Sequence, residues 1–211
     1  MTSTGSSSCE VSVDSEICEL LAARGFAVVP DFLGSGEIAA LREAAQRRRA
    51  AGEFRAARVG RGAGAQQAAA LRGDEICWLA GASADQPERA LLERLDALRL
   101  ALNRELFLGL VELEAHYACY APGAAYALHL DRFRDDDARV ISLVLYLNDR
   151  WRDEHGGALR LFASADAREP LCEIAPRGGT LIALRSDTIA HEVLPAARER
   201  WSIAGWLRRR A

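Results

Sequence analysis

From residue 111 onward the chain breaks into short β-rich runs: VELEAHYACYAPG, AYALHLD, RVISLVLYLND, GGALRLF, CEIAPRGGTLIALRS, AHEVLP and RWSIAGWLRRR, with turn residues between them. Strands this short and this closely spaced must pair with one another to satisfy their backbones, and a barrel or jelly roll does so within one domain. The half before residue 111 reads differently. SEICELLAARG predicts a short amphipathic helix starting at Ser15 and ended by Gly25 in the left-handed conformation. FAVVPDFL is extended. Ser35 is the expected N-cap of a second helix, GEIAALREAAQRRRAAG, whose basic far end suits the helix dipole. A strand is expected at EICWLAG, then a long helix to Leu106, with Pro87 at its first position and Asp85 or Gln86 near the cap. The fold class expected is mostly β with supporting helices: a jelly-roll or cupin-like core packed by the N-terminal α-helices.

At 211 residues, half of them hydrophobic, the chain has room for one domain with a substantial core. Residues 1–14, rich in Ser and Thr, read as a flexible tail, and 15–211 as the domain. Within it, 53–71 carries three glycines and several arginines, the composition of a long mobile loop or β-ribbon that closes over a ligand. The net charge of −3 gives no whole-molecule attraction to nucleic acid or to an anionic membrane. The basic residues form no aromatic-interleaved groove, and Arg208, Arg209 and Arg210 read as a solvated run, so nucleic acid is not an expected partner. All 27 cationic side chains are arginine, which makes each a candidate bidentate binder of carboxylates. Five scattered cysteines with no C-x-x-C pair argue against a disulfide framework or a zinc knuckle. The N-terminus lacks the basic and apolar regions of a signal peptide, and no apolar run approaches a membrane span, so a cytoplasmic protein is expected.

The chemistry is carried by three elements. In His129-Leu130-Asp131 the outer residues lie two apart, so in an extended segment imidazole and carboxylate project from one face and can meet one ion. Alone, such a pair is more often a surface accident. His191, in SDTIAHEVLP, lies where a strand distant in sequence can bring a third ligand alongside. Two histidines and one carboxylate form a facial triad that leaves three positions open on an octahedral ion, the arrangement of non-haem Fe(II) oxygenases. Arg200 opens the apolar run WSIAGWL, where its planar fork can take a dicarboxylate in a way no lysine matches. Ser202 shares a strand face with it.

The order H-x-D, H, R in these flanks resembles the prolyl hydroxylase branch of the 2-oxoglutarate oxygenases, and most of all the hypoxia-factor prolyl hydroxylases and their bacterial homologues. The resemblance spans roughly residues 15–208 and includes LRGDEICWL, HYACYAPG, RVISLVLYLN, GGALRLF and HEVLPAARERWSIAGW. It implies a double-stranded β-helix. It implies that His129, Asp131 and His191 bind Fe(II), and that Arg200 pairs with the distal carboxylate of 2-oxoglutarate with the Tyr146 hydroxyl as a second donor. Tyr120 would contact the cofactor, Leu159 would pack on its methylenes, and Ser202 would support its carboxylate. O2 would be the co-substrate and ascorbate the reductant. Arg139 and Trp206 would face the entrance, with Trp206 and Trp78 equally suited to core packing.

The substrate implied is a prolyl residue in a peptide or protein, hydroxylated at C4, with a translation factor among the candidates. The loop 53–71 stands where relatives fold a finger over the peptide, and Arg55, Arg58 and Arg61 would favour an acidic one. A hydroxylase of a free amino acid would keep the same iron site without needing that loop; a non-catalytic binding module on the same barrel would lack a ligand or the arginine. Two departures from the pattern stand out. His116 occupies a position usually apolar and is expected to be a satisfied polar residue beneath the site. Ala204 replaces a hydroxyl residue that some relatives hold near the metal. Oligomeric state is not legible.

Overall fold

The computed structural model describes residues 12–57, 71–79, 85–132 and 137–210. Three helices, α1 (Val13–Arg24), α2 (Ser35–Ala50) and α3 (Gln86–Leu106), accompany eleven strands. The strands are β1 (Phe26–Val29), β2 (Arg55–Ala56), β3 (Asp74–Trp78), β4 (Leu110–Tyr120), β5 (Tyr126–His129), β6 (Arg139–Tyr146), β7 (Leu159–Phe162), β8 (Cys172–Ile174), β9 (Leu181–Arg185), β10 (Ala190–Val193) and β11 (Arg200–Arg209). They form a major sheet in the order β1-β9-β6-β11-β4-β3-β2 and a minor sheet in the order β5-β10-β7-β8. Every pairing is antiparallel. Non-consecutive neighbours such as β11 between β4 and β6 are the crossovers of a jelly roll, as the strand density predicts.

Alternation along the long strands builds two cores. On β4, Ala115, Tyr117 and Cys119 face the helices, where they meet Leu143 and Leu145 of β6 and Trp201 and Ile203 of β11. On α3, Leu91, Leu95, Leu98 and Leu102 recur at helical spacing and are all buried against that face. Truncating any one of these leucines to alanine costs about 2–5 kcal/mol. The alternate residues, including Ala118, Tyr120, Tyr146, Leu159, Ile182 and Val193, fill the space between the two sheets.

Helix boundaries differ from expectation in ways that follow from capping. α1 begins at Val13, inside the segment expected as a tail, because the Ser12 hydroxyl accepts the Ser15 N–H at 3.2 Å. Gly25 ends it at φ +80° as expected. α2 is capped at Gly34, not Ser35; the Glu37 carboxylate accepts the Gly34 N–H at 2.8 Å and substitutes for a capping hydroxyl. α3 starts at Gln86 with Pro87 second, and Asp85 turns its carboxylate to Arg47 at 3.2 Å instead of to the helix. Within 53–71, Arg55–Ala56 is a strand on β3; Arg58 and Arg61 lie outside the described residues. Cys18, Cys77, Cys119 and Cys172 carry free thiols, and no helix among the described residues is long and apolar enough to cross a membrane.

Candidate active site

The minor sheet brings His129 of β5 directly opposite His191 of β10. Asp131 follows just beyond the end of β5, and its two oxygens lie 3.6 Å from His129 Nε2 and 3.6 Å from His191 Nε2. All three ligand atoms fall within 4.8 Å of one another, the spacing of donors that converge on one ion. His129 Nδ1–H donates to the Ala127 carbonyl at 2.8 Å, which fixes the tautomer and leaves the Nε2 lone pair for a metal. Nδ1 of His191 lies 3.4 Å from the Ile189 carbonyl, a longer version of the same arrangement. Burial, joined by the neighbouring His129, pushes His191 down to about 4, so it presents a neutral imidazole at neutral pH. Burial alone would raise the Asp131 carboxyl, but the two histidines and the Ser142 hydroxyl hold it well below the usual range. The trio therefore supplies two imidazole nitrogens and one carboxylate, the donor set that suits Fe(II).

The other end of the cavity is built on the major sheet. Arg200 opens β11 opposite Tyr120 of β4 and is 2% exposed. Its Nε donates to the Gly157 carbonyl at 2.9 Å and one terminal nitrogen to the Tyr146 hydroxyl at 3.1 Å. The Tyr120 and Tyr146 rings flank the guanidinium at 5.2 and 4.9 Å. Among the described residues no carboxylate pairs with it. A buried guanidinium left without an acidic partner is costly, and an anionic ligand removes that cost. Because the Tyr146 oxygen accepts from Arg200, its own proton is left to give. Leu159, Val193, Ser202 and Ala204 line the same cavity as His129, Asp131, His191 and Arg200. The residues present thus fit both a facially bound metal and a small dianion reaching from it to Arg200.

Gly157 is held to its role by space. Its φ is +73°, and a Cβ there would stand 2.7 Å from the Ala196 Cβ and 3.3 Å from the Arg200 Cδ. Only glycine lets this carbonyl come close enough to orient the guanidinium.

Outside the cavity a groove of about 520 Å³ leads to His129 and Asp131 between Glu53, Arg55, Arg72, Trp78, His116, Tyr126, Arg139 and Trp206, among others. Arg139 and Trp206 are brought together there, the guanidinium 3.5 Å from the ring centroid. Arg55 also lines the groove, but one of its terminal nitrogens donates to the carbonyls of Gly52 and Phe54. Trp78 is half exposed on the wall, so core packing is not its role. His116 corrects expectation in part: Nδ1 is satisfied by the Tyr117 carbonyl at 3.0 Å, yet Nε2 has no partner among the described residues.

Three site residues escaped the sequence reading. Arg72 forms a bidentate pair with Asp74 at 2.7 and 2.9 Å and lies 4.9 Å over the Tyr126 ring. Tyr126 in turn stacks on His129, with centroids 3.7 Å apart and planes 15° off parallel. This strut ties β3 to a ligand of the metal trio. Arg72 and Asp74 have the same two-residue spacing as His129 and Asp131, which was the available signal; their contact with Tyr126 depends on a bridge between segments distant in sequence.

Residues 115–208 match the family described as 2OG-Fe(II) oxygenase superfamily. The crystal structure of a Pseudomonas putida prolyl-4-hydroxylase superposes with a TM-score of 0.83 at 40% identity, covering 94% of this chain and 100% of that one. A Trichoplax adhaerens prolyl hydroxylase in complex with a hypoxia inducible factor oxygen degradation domain peptide fragment gives 0.81 at 25% identity, covering 92% and 88%. Human prolyl hydroxylase EGLN3 is 32% identical over 142 residues, 64% of this chain. The chain spans 58% of the length of that curated relative.

Proposed function

Because this chain belongs to the 2OG-Fe(II) oxygenase superfamily, we propose that it is an Fe(II)- and 2-oxoglutarate-dependent dioxygenase that hydroxylates a prolyl residue of a peptide or protein at C4, releasing succinate and CO2. The observation that carries this reading is the buried Arg200, unpaired with any described carboxylate, in the same cavity as the His129, Asp131 and His191 trio. A metal trio alone is generic; a metal trio facing a buried fork is suited to a chelating dicarboxylate.

In this reading His129 Nε2, Asp131 and His191 Nε2 hold the iron. Arg200 takes the distal carboxylate, Tyr146 donates its remaining proton to the same group, and Ser202 supports it. Tyr120 and Leu159 wall off the methylenes and keep water from the charged contacts. Bound iron, with 2-oxoglutarate and dioxygen, supplies the oxidising power needed to place oxygen on an unactivated carbon. Arg139, Trp206 and Arg55 line the approach for substrate; Arg58 and Arg61, read from the sequence as further substrate contacts, lie outside the described residues. A peptide substrate is favoured over a free amino acid by the groove itself, which extends well past the metal ligands. The reading extends to ascorbate as reductant, to a cytoplasmic location and to a translation factor as one candidate substrate, on family resemblance.

The test is succinate release with Fe(II) and 2-oxoglutarate across panels of proline-containing peptides and free amino acids, followed by mass spectrometry of the product. Gain of one oxygen atom on a peptidyl proline is the expected result. Succinate release that no peptide stimulates, with oxygen recovered on a free amino acid, would replace the substrate and leave the chemistry.

A further inference from the structure

The site as assigned leaves two buried polar atoms unused. His116, 1% exposed on β4, donates from Nδ1 to the Tyr117 carbonyl, which places a lone pair on Nε2. Among the described residues neither that Nε2 nor the indole N–H of Trp206 has a hydrogen-bond partner. The two rings stand 5.5 Å apart, centroid to centroid. Leaving such atoms buried and unpaired is unfavourable, and folded proteins keep few of them without a reason. Four such side-chain atoms occur among the described residues, and these two belong to residues lining both the groove and the inner cavity.

Position on the sheet says what they can meet. Across β3, β4, β11 and β6 the cavity face is laid out in rows. Asp74, Tyr120 and Arg200 form the innermost row; Ile76, Ala118, Ser202 and Tyr146 the next. Trp78, His116, Ala204 and Val144 follow, then Glu114, Trp206 and Ser142. His116 therefore lies outside the anion-binding rows, beside the methyl side chain of Ala204. Burial pushes it down to about 4, with Arg72 as the next influence, so at neutral pH it is an uncharged acceptor. Trp78, 48% exposed and edge-on to His116 at 5.0 Å, is the ring beside it in the groove wall.

We infer that His116 Nε2 and the Trp206 indole N–H form a subsite that receives one extended main-chain residue of the substrate, its N–H going to His116 and its own carbonyl accepting from Trp206. One neutral acceptor beside one neutral donor matches the N–H and C=O that an extended residue turns to one side. A carboxylate has no proton to give His116, and an ammonium has no lone pair for Trp206. The inference rests on the peptide reading above and sharpens it. Proline in a chain lacks an N–H, so the hydrogen comes from the residue that follows it, which free proline does not have.

The experiment uses the full chain loaded with Zn(II) and 2-oxoglutarate, which binds ligands without turnover. Its probes are N-acetylproline N-methylamide, which keeps the N–H, and the N,N-dimethylamide, which lacks it. The expected result is a shift of the His116 ring-nitrogen resonance with the first probe alone and about tenfold tighter binding of it, one charge-free hydrogen bond in a dry site. His116→Met abolishes that preference while 2-oxoglutarate affinity and melting temperature hold, and His116→Gln, which keeps an acceptor, restores part of it. Equal binding of the two probes, an unmoved resonance, no binding of either, or a His116→Met protein that keeps the preference and loses 2-oxoglutarate overturns the subsite. If the N-methylamide binds as expected and the Fe(II) enzyme adds no oxygen to its ring, the subsite stands and prolyl hydroxylation falls.

Discussion

The two ends of the cavity are built to different standards. The metal end rests on β5 and β10, four residues each, with a register shift between His191 and Val193 and with its ligands fixed by carbonyls at 2.8 and 3.4 Å. The anion end rests on β4, β6 and β11, among the longest strands in the molecule, with Arg200 fixed by a backbone carbonyl, a phenol and two flanking rings. An ion draws its own ligands into place and tolerates short supports. A carboxylate read by a guanidinium depends on direction, so the fork must be oriented before the ligand arrives. The lesson is that rigidity has been placed where the ligand cannot supply it.

Changes at each end should separate accordingly. The largest effect is expected for Asp131→Ala: metal binding, followed by Co(II) or Mn(II) titration, is lost and succinate release falls to background, with little change in melting temperature. Succinate at the wild-type rate from this variant would end the iron assignment. Next comes Arg200→Ala, for which binding of 2-oxoglutarate to the Mn(II) protein weakens about a hundredfold while Mn(II) affinity holds, the effect of losing charge-assisted hydrogen bonds in a buried site. Loss of metal affinity in that variant would mean that the two ends are not separable. Gly157→Ala should weaken 2-oxoglutarate about tenfold and lower stability by about 2 kcal/mol, through a strained φ and pressure on the Arg200 stem. Gly156→Ala, also at positive φ (+65°) but against the Pro195 carbonyl, is the control: a comparable stability loss with unchanged affinity.

The smallest effect concerns pH. His116 is neutral in the fold, with its pKa lowered from 6.5 to about 4. Between those values the unfolded chain binds a proton that the folded one refuses, so stability falls as pH drops from 6.5 towards 4 and is unaffected by this group above that window. Melting temperatures of the protein and of His116→Met should therefore agree at pH 7 and separate by pH 5, the parent falling below the variant. Parallel curves would show that the imidazole is protonated in the fold.

The anion end was the more legible of the two in its residues and the less legible in its supports. Arg200, Tyr120, Tyr146, Ser202 and Leu159 stand in motifs that a reader can align, and strand alternation turns the first four to the cavity face of the major sheet. The carbonyl of Gly157 leaves no side-chain trace, and its pairing with Arg200 Nε follows from the path of a turn. At the metal end, His129 and Asp131 announce themselves by spacing, but the stack of Tyr126 on His129 and the Arg72 strut behind it arise from a bridge that no local pattern encodes. The same limit explains the caps: Glu37 serving Gly34, and Asp85 drawn to Arg47, are decided by side chains several residues away or on another helix.

The rows across the cavity face also amount to a ruler. Residues two apart on a strand are about 6.7 Å apart, so the four rows from Arg200 to Trp206 measure roughly 20 Å along the ligand path. That step is much longer than a carbon–carbon bond, so each row addresses a different portion of whatever lies along it. A mutation at 116, 204 or 206 rewrites the outer graduations and leaves the zero mark at Arg200 where it was. New selectivities can then be drafted at one end of the scale without recalibrating the other.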